Sequence, residues 1–196
     1  MGKIVYIMGK SSTGKDTIFR KLVEEGTWSL KVIVPYTTRP IRAGERNGLE
    51  YFFTNEEGYQ KLSAQGKIVE QREYHTYHGV WRYFTVDDGQ IDLTANDYIM
   101  IGTLESYQRV KKYFGEDKLI PVLIELDDGS RLRRALNREC TQEQPKYEEM
   151  CRRFLADGKD FQEEKIKEAG INRRFQNDDL DHCLCNIRNY IIERIR

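Results

Sequence analysis

The feature that most constrains this chain is the run Gly9-Lys10-Ser11-Ser12-Thr13-Gly14-Lys15-Asp16-Thr17. It follows the apolar stretch Ile4–Met8 and precedes a segment in which Ile18, Leu22 and Val23 recur at helical spacing. A strand, a glycine-rich turn and a helix in that order form the setting of a phosphate-binding loop with the pattern GxxxxGK. Gly9 and Gly14 let the backbone wrap closely, so that N–H groups of Ser11, Ser12 and Thr13 and the helix N-terminus face a chain of phosphates. Lys15 adds a mobile positive charge for the outer phosphates. The position after the lysine ordinarily carries a hydroxyl for magnesium; here it is Asp16, a hard oxygen donor that suits Mg²⁺ directly or through water. Thr17, one place later, is placed for the inner phosphate.

The loop fixes the fold class. Short Val/Ile-rich runs at Lys31–Val34, Tyr98–Ile101 and Leu119–Leu126 alternate with charged, helix-like stretches at Thr17–Glu25, Leu104–Phe114, Ser130–Arg138, Tyr147–Leu155 and Leu180–Arg196. That alternation predicts an α/β fold, a parallel sheet with helices on both faces. Between about Arg39 and Thr85 the pattern changes to Tyr51-Phe52-Phe53, Ile68-Val69-Glu70 and Trp81-Arg82-Tyr83-Phe84, separated by glycine-containing turns, and predicts a small β-rich insertion. The polar stretch Asn137–Pro145 lies between two arginine-bearing helices and is expected to act as a lid. One domain is expected: a core of about 1–35, 95–130 and 170–196, an insertion of about 36–90 and a helical lid of about 131–160. Ile187, Tyr190, Ile191 and Ile195 are expected to pack the last helix on the sheet.

Bulk properties exclude several classes. The 196 residues carry 32 basic and 32 acidic side chains, so no basic excess is available for nucleic acid. No stretch approaches the roughly 18 apolar residues of a spanning helix, and the opening residues lack a signal core. Cys140, Cys151, Cys183 and Cys185 form no CxxC pair and have no histidine at ligand spacing, so reduced thiols and a cytoplasmic location are expected rather than zinc.

A second motif, Tyr36-Thr37-Thr38-Arg39-Pro40-Ile41-Arg42-Ala43-Gly44-Glu45 followed by Gly48-Leu49-Glu50-Tyr51-Phe52-Phe53, resembles the TTRxxRxGE…G…DYxF acceptor segment of guanylate kinases. The likeness continues through Glu70, the arginines Arg134 and Arg138, then Arg152 or Arg153, and Asn177-Asp178-Asp179-Leu180. The resemblance implies a P-loop kinase that moves a phosphoryl group from ATP, with Mg²⁺, to GMP. It implies that Arg39, Arg42 and Tyr51 grip the acceptor monophosphate, Glu70 meets guanine N1 and N2, the lid arginines neutralise the transferred group, and Asn177 lies near the adenine. Lys15 and the lid arginines Arg134, Arg138, Arg152 and Arg153 are the expected catalytic groups. An anionic acceptor phosphate needs no general base, so positioning and charge carry the chemistry.

The base-reading positions depart from the family. Pro35 replaces a serine, His78-Gly79-Val80 replaces YG[ST], and Ile101-Gly102-Thr103 replaces DxD. Tyr36, Arg72, His75, Tyr77, His78, Trp81 and Thr103 are the neighbours expected to compensate, His78 as a phosphate donor. Two other readings stay open from sequence: a kinase for another phosphorylated sugar such as ribose 1,5-bisphosphate, which shares Asp after the loop lysine, and a guanylate-kinase-like module that only binds a partner. Both monomer and homodimer are compatible with the sequence.

Overall fold

The computed structural model describes residues 2–26, 29–42, 44–76 and 79–195. Five parallel strands form the main sheet: β1 (Ile4–Met8), β2 (Lys31–Val32), β7 (Tyr98–Gly102), β8 (Leu119–Glu125) and β9 (Arg174–Gln176), in the order β2-β7-β1-β8-β9. Every residue of β1 is buried, as expected of the central strand of a parallel sheet covered on both faces.

Alternate residues of β1 feed two separate cores. Ile4, Tyr6 and Met8 join α3 (Leu104–Phe114) through Tyr107 and Val110, and α6 (Glu163–Glu168) through Ile166. Val5 and Ile7 join α1 (Lys15–Glu24) through Ile18 and Leu22, and α7 (Leu180–Ile195) through Leu184, Ile187 and Ile191. Each fully buried aliphatic side chain contributes about 1.5–3 kcal/mol of apolar burial, so the two layers fix the sheet between them. The last helix packs on the sheet as its pattern predicts.

A second sheet of four strands stands apart in the order β4-β3-β6-β5, built from β3 (Tyr36–Thr37), β4 (Phe52–Phe53), β5 (Ile68–Thr76) and β6 (Gly79–Val86). The strands β5 and β6 pair antiparallel with a register shift between Ile68 and Glu70. This region is less purely β than its sequence suggests, for it also contains α2 (Glu56–Ala64). Asn55 caps that helix by accepting from the Gly58 amide at 2.9 Å, and Tyr59 buries its ring edge-on against Phe84. Gly58 inside the first turns weakens the helical signal, which is why the segment reads as a turn. Two further helices, α4 (Asp128–Cys140) and α5 (Tyr147–Asp160), form a hairpin, and the first four residues of the polar stretch Asn137–Pro145 are the last turn of α4 rather than loop.

Candidate active site

The phosphate loop occupies the turn from β1 into α1, and three of its residues take the left-handed backbone: Gly9 at φ 157°, Ser12 at 64° and Gly14 at 90°. A side chain on Gly9 would overlap the Ile124 carbonyl of the neighbouring strand, and one on Gly14 would overlap the Asn177 amide. Space as well as dihedral therefore demands glycine at both places. Thr13 curls the loop by donating its hydroxyl to the Lys10 carbonyl at 2.9 Å. Asn177 is buried and donates Nδ2 to the Thr13 carbonyl at 2.6 Å, which makes it a brace of the loop. Its Oδ1 and the Ser12 hydroxyl are buried without a hydrogen-bond partner among the described residues. Buried orphans of this kind mark a place where a polar ligand completes the network.

Lys15 stands at the first turn of α1 with its ammonium 3.3 Å from the Asp16 carboxylate. Asp16 is 75% exposed, and no cluster of three or more metal-ligating side chains exists among the described residues. A single open carboxylate beside a phosphate loop fits Mg²⁺, which keeps several waters and is held by one or two carboxylates plus substrate phosphates.

The helical hairpin reaches the loop through a residue that the sequence reading did not single out. Arg131 is 1% exposed; its Nε donates to the Ser11 carbonyl at 3.0 Å and its two Nη groups to Asp128 at 2.6 Å and Asp157 at 2.7 Å. Asp157, from α5, in turn accepts from the Ser11 amide at 2.8 Å, and the Arg131 guanidinium lies over Phe154 at 4.7 Å. Both backbone polar groups of Ser11 are thus held by the hairpin. The expected lid residue Arg134 comes to the same place, donating to the Asn177 carbonyl at 3.1 Å. Arg138, Arg152 and Arg153 do not: Arg138 lies 3.7 Å from Glu139, and the other two share Glu149 at 2.6 and 2.9 Å. The structure separates these five hairpin arginines into two at the loop and its Asn177 brace, Arg131 and Arg134, and three on exposed helix faces.

Across the cleft, the second sheet carries the expected acceptor residues. Arg39 is buried; it forks onto Glu45 at 2.7 and 2.8 Å, donates Nε to the Tyr83 hydroxyl at 3.1 Å and Nη1 to the Pro40 carbonyl at 2.8 Å. Those bonds use four of its five N–H donors, so Arg39 chiefly organises this corner, with one Nη2 hydrogen left for a ligand. The Arg39 guanidinium pulls the Glu45 carboxyl down to about 2. Arg42 is exposed, and its amide is anchored on Glu45 at 2.8 Å. Tyr51 packs edge-on against Tyr83 with the Arg39 guanidinium 5.4 Å from its ring; burial raises its hydroxyl pKa, and the charges of Arg72 and Arg39 oppose that rise.

Glu70 lies deeper. Its side chain is 1% exposed and accepts from Thr85 Oγ1 at 2.9 Å and from Arg72 at 3.2 and 3.4 Å. Thr103, expected as an acceptor contact, is the N-cap of α3: its hydroxyl accepts from the Ser106 amide at 3.2 Å in a reciprocal capping box. A helix start after a strand of this kind needs such a residue, which accounts for the hydroxyl there. Next to it, a side chain on Gly102 would overlap the Tyr6 hydroxyl and approach Ser106 Oγ to 2.7 Å. Tyr6 bonds Ser106 Oγ at 2.5 Å in the buried layer beneath. His78 and Tyr77 lie outside the described residues.

Among the described residues no helix is long and apolar enough to cross a membrane. Residues 1–86 match the family model for guanylate kinase. The chain is 30% identical to a guanylate kinase of Caldanaerobacter subterraneus subsp. tengcongensis over 192 residues, covering 97% of this chain and 87% of that one. It is 27% identical to a guanylate kinase of Porphyromonas gingivalis, covering 100% of this chain and 99% of the relative. In fold it is similar to the crystal structure of guanylate kinase from Anaplasma phagocytophilum, with a TM-score of 0.66 at 18% identity over 100% of this chain and 87% of that one.

Proposed function

The chain belongs to the guanylate kinase family, and from that premise we propose that its cleft carries out ATP-dependent phosphorylation of GMP to GDP with the residues assigned below. One observation supports this reading above the others: an intact phosphate loop, held by Asn177 and the hairpin, faces a second sheet that presents Arg39, Arg42, Tyr51 and Glu70. A module that only binds a partner has no use for Lys15 and two sterically required glycines.

In this reading the loop amides and Lys15 hold the ATP phosphates, with Asn177 near the adenine. Asp16, with the phosphates and water, would hold magnesium, which would supply charge neutralisation at the transferred group. Arg42, Tyr51 and the remaining Arg39 hydrogen hold the acceptor phosphate, and Glu70 takes guanine N1–H and the 2-amino group. An acceptor phosphate oxygen attacks the γ-phosphorus, the bond to the β–γ bridging oxygen breaks, and ADP leaves with that electron pair. No proton has to be removed from the nucleophile. Lys15 and Arg134 sit at the loop where negative charge accumulates, and preorganised cations there lower the barrier. Arg138, Arg152 and Arg153 complete the set when the hairpin closes over both substrates, a movement that also excludes water. In the free chain the Arg152 guanidinium is paired with Glu149 of its own helix at 2.6 and 2.8 Å.

The test is ADP release with GMP, dGMP, AMP, UMP, CMP, IMP and ribose 1,5-bisphosphate as acceptors. GMP is expected to give the highest kcat/KM, and Lys15→Met to lower it by at least 10³-fold, on the order of 4 kcal/mol of transition-state charge stabilisation. Turnover on none of these acceptors, with Lys15→Met behaving like the parent chain, would refute the kinase reading. Preference for ribose 1,5-bisphosphate would replace GMP as the acceptor.

A further inference from the structure

Glu70 and Arg72 stand two residues apart on β5, so their side chains leave the strand on one face. Arg72 lays its Nε and Nη2 along the Glu70 carboxylate at 3.2 and 3.4 Å, and Glu70 is 1% exposed beneath it while Arg72 is 16% exposed. Two parallel N–H donors aimed at a carboxylate form the same array that guanine presents with N1–H and its 2-amino group. In the free chain the guanidinium stands where guanine's donor edge would bind. Both contacts are long beside the roughly 2.7–2.9 Å of strong charge-assisted pairs, so a better-fitting donor edge can replace them.

Arg72 keeps further donors that Glu70 does not engage, on a side chain that is 16% exposed. Among the described residues its Nη1 takes no hydrogen bond, and its charge acts on the hydroxyls of Tyr51 and Tyr74. The opposite edge of guanine consists of two acceptors, O6 and N7. Pro35 and Val80, at the places where hydroxyl residues stand in related kinases, offer no side-chain donor to that edge.

Resting on the GMP reading above, we propose that Arg72 is a specificity-determining residue of the acceptor site. Guanine displaces its fork from Glu70, and the released guanidinium donates to O6 and N7. Glu70 and Arg72 then read the two edges of one base with opposite polarity. Adenine is rejected twice, because its 6-amino group points a donor at a donor and its N1 carries no hydrogen for Glu70.

The experiment compares kcat/KM for GMP, 7-deaza-GMP and IMP in the parent chain and in Arg72→Met. Removing N7 leaves one charged donor without its acceptor and is expected to lower kcat/KM about tenfold in the parent. In Arg72→Met the GMP to 7-deaza-GMP ratio is expected to fall to within about twofold, while the preference for GMP over IMP, which reports Glu70, persists. Because Arg72→Met leaves Glu70 buried without its cation, Arg72→Lys is measured alongside; it keeps the charge but not the fork and is expected to give an intermediate ratio. Thermal stabilisation by Mg-ATP verifies that each variant retains its donor site. An unchanged 7-deaza ratio in both variants, or loss of both preferences together, overturns the assignment, the second outcome showing that Arg72 acts only through Glu70. Failure of the parent to turn over GMP is a separate result and removes the reading on which the assignment rests.

Discussion

Replacing Arg131 with methionine should destabilise the chain and weaken its grip on ATP more than on GMP. Arg131 is 1% exposed and joins α4, α5 and the phosphate loop through Asp128, Asp157 and the Ser11 carbonyl. The Asp128 bond contributes little, since that carboxylate is 62% exposed and well solvated. The Asp157 bond is different, because the side chain is 15% exposed and would keep only the Ser11 amide as partner. Removing one member of a buried pair costs about 3–5 kcal/mol; the remaining amide bond and partial exposure place this case near 3. In a chain of this size 1 kcal/mol moves Tm by roughly 2–4 °C, so the expected fall is about 6–12 °C. Adding Asp157→Asn removes the stranded charge while keeping an acceptor for the Ser11 amide, so the double variant should recover at least about 1 kcal/mol of the loss. Scanning calorimetry on the four chains of this cycle reads both numbers, and steady-state kinetics should show KM for ATP rising more than KM for GMP. A fall in Tm below about 2 °C, or strictly additive losses, would refute the clamp as a coupled unit.

Acid should weaken the corner around Glu45. The Arg39 guanidinium holds this carboxyl at about 2, well below its ordinary value, so its contribution is complete above about pH 4.5 and is lost as pH falls toward 2. Denaturant midpoints of Glu45→Gln should be lower at neutral pH and flatter across that window; a parallel pH profile would show that Glu45 is not the group involved. Thiol chemistry should divide the cysteines three to one. Cys140, Cys151 and Cys185 are exposed, whereas Cys183 is buried on α7 and burial pushes its thiol up to about 11. Mass spectrometry after iodoacetamide at pH 8 should find three adducts on the native chain and a fourth only after unfolding; rapid native labelling of Cys183 would contradict its burial.

The elements that the sequence displayed most openly were those with strong local periodicity. The buried β1 and the helix Leu104–Phe114 coincide with their apolar patterns because burial on a regular lattice writes itself into spacing. Short or glycine-bearing elements did not: α2 contains Gly58, and β9 has only three residues with one buried apolar side chain, Phe175. The loop residues Gly9 through Thr17 were legible because a phosphate cradle demands specific backbone at fixed offsets. Arg131 was not, since one charge among the many on α4 carries no mark of its burial, and Asp157 lies 26 residues farther along. Thr103 shows the converse problem. A hydroxyl at a strand end suggests a ligand contact, yet the helix that follows uses it as a cap.

Gly102 and Tyr6 also bind the history and engineering of this site to a fixed order of change. Any side chain at 102 collides with the Tyr6 hydroxyl, and Tyr6 is itself buried and bonded to Ser106. An acidic residue introduced there alone would be harmful, whereas the same residue after Tyr6 has become smaller would meet only the Ser106 hydroxyl at 2.7 Å, a contact a small rotation can relieve. The cost of a side chain at 102 therefore depends on which change comes first, and a mutational route through this position begins in the buried layer beneath it, at Tyr6 and Ser106.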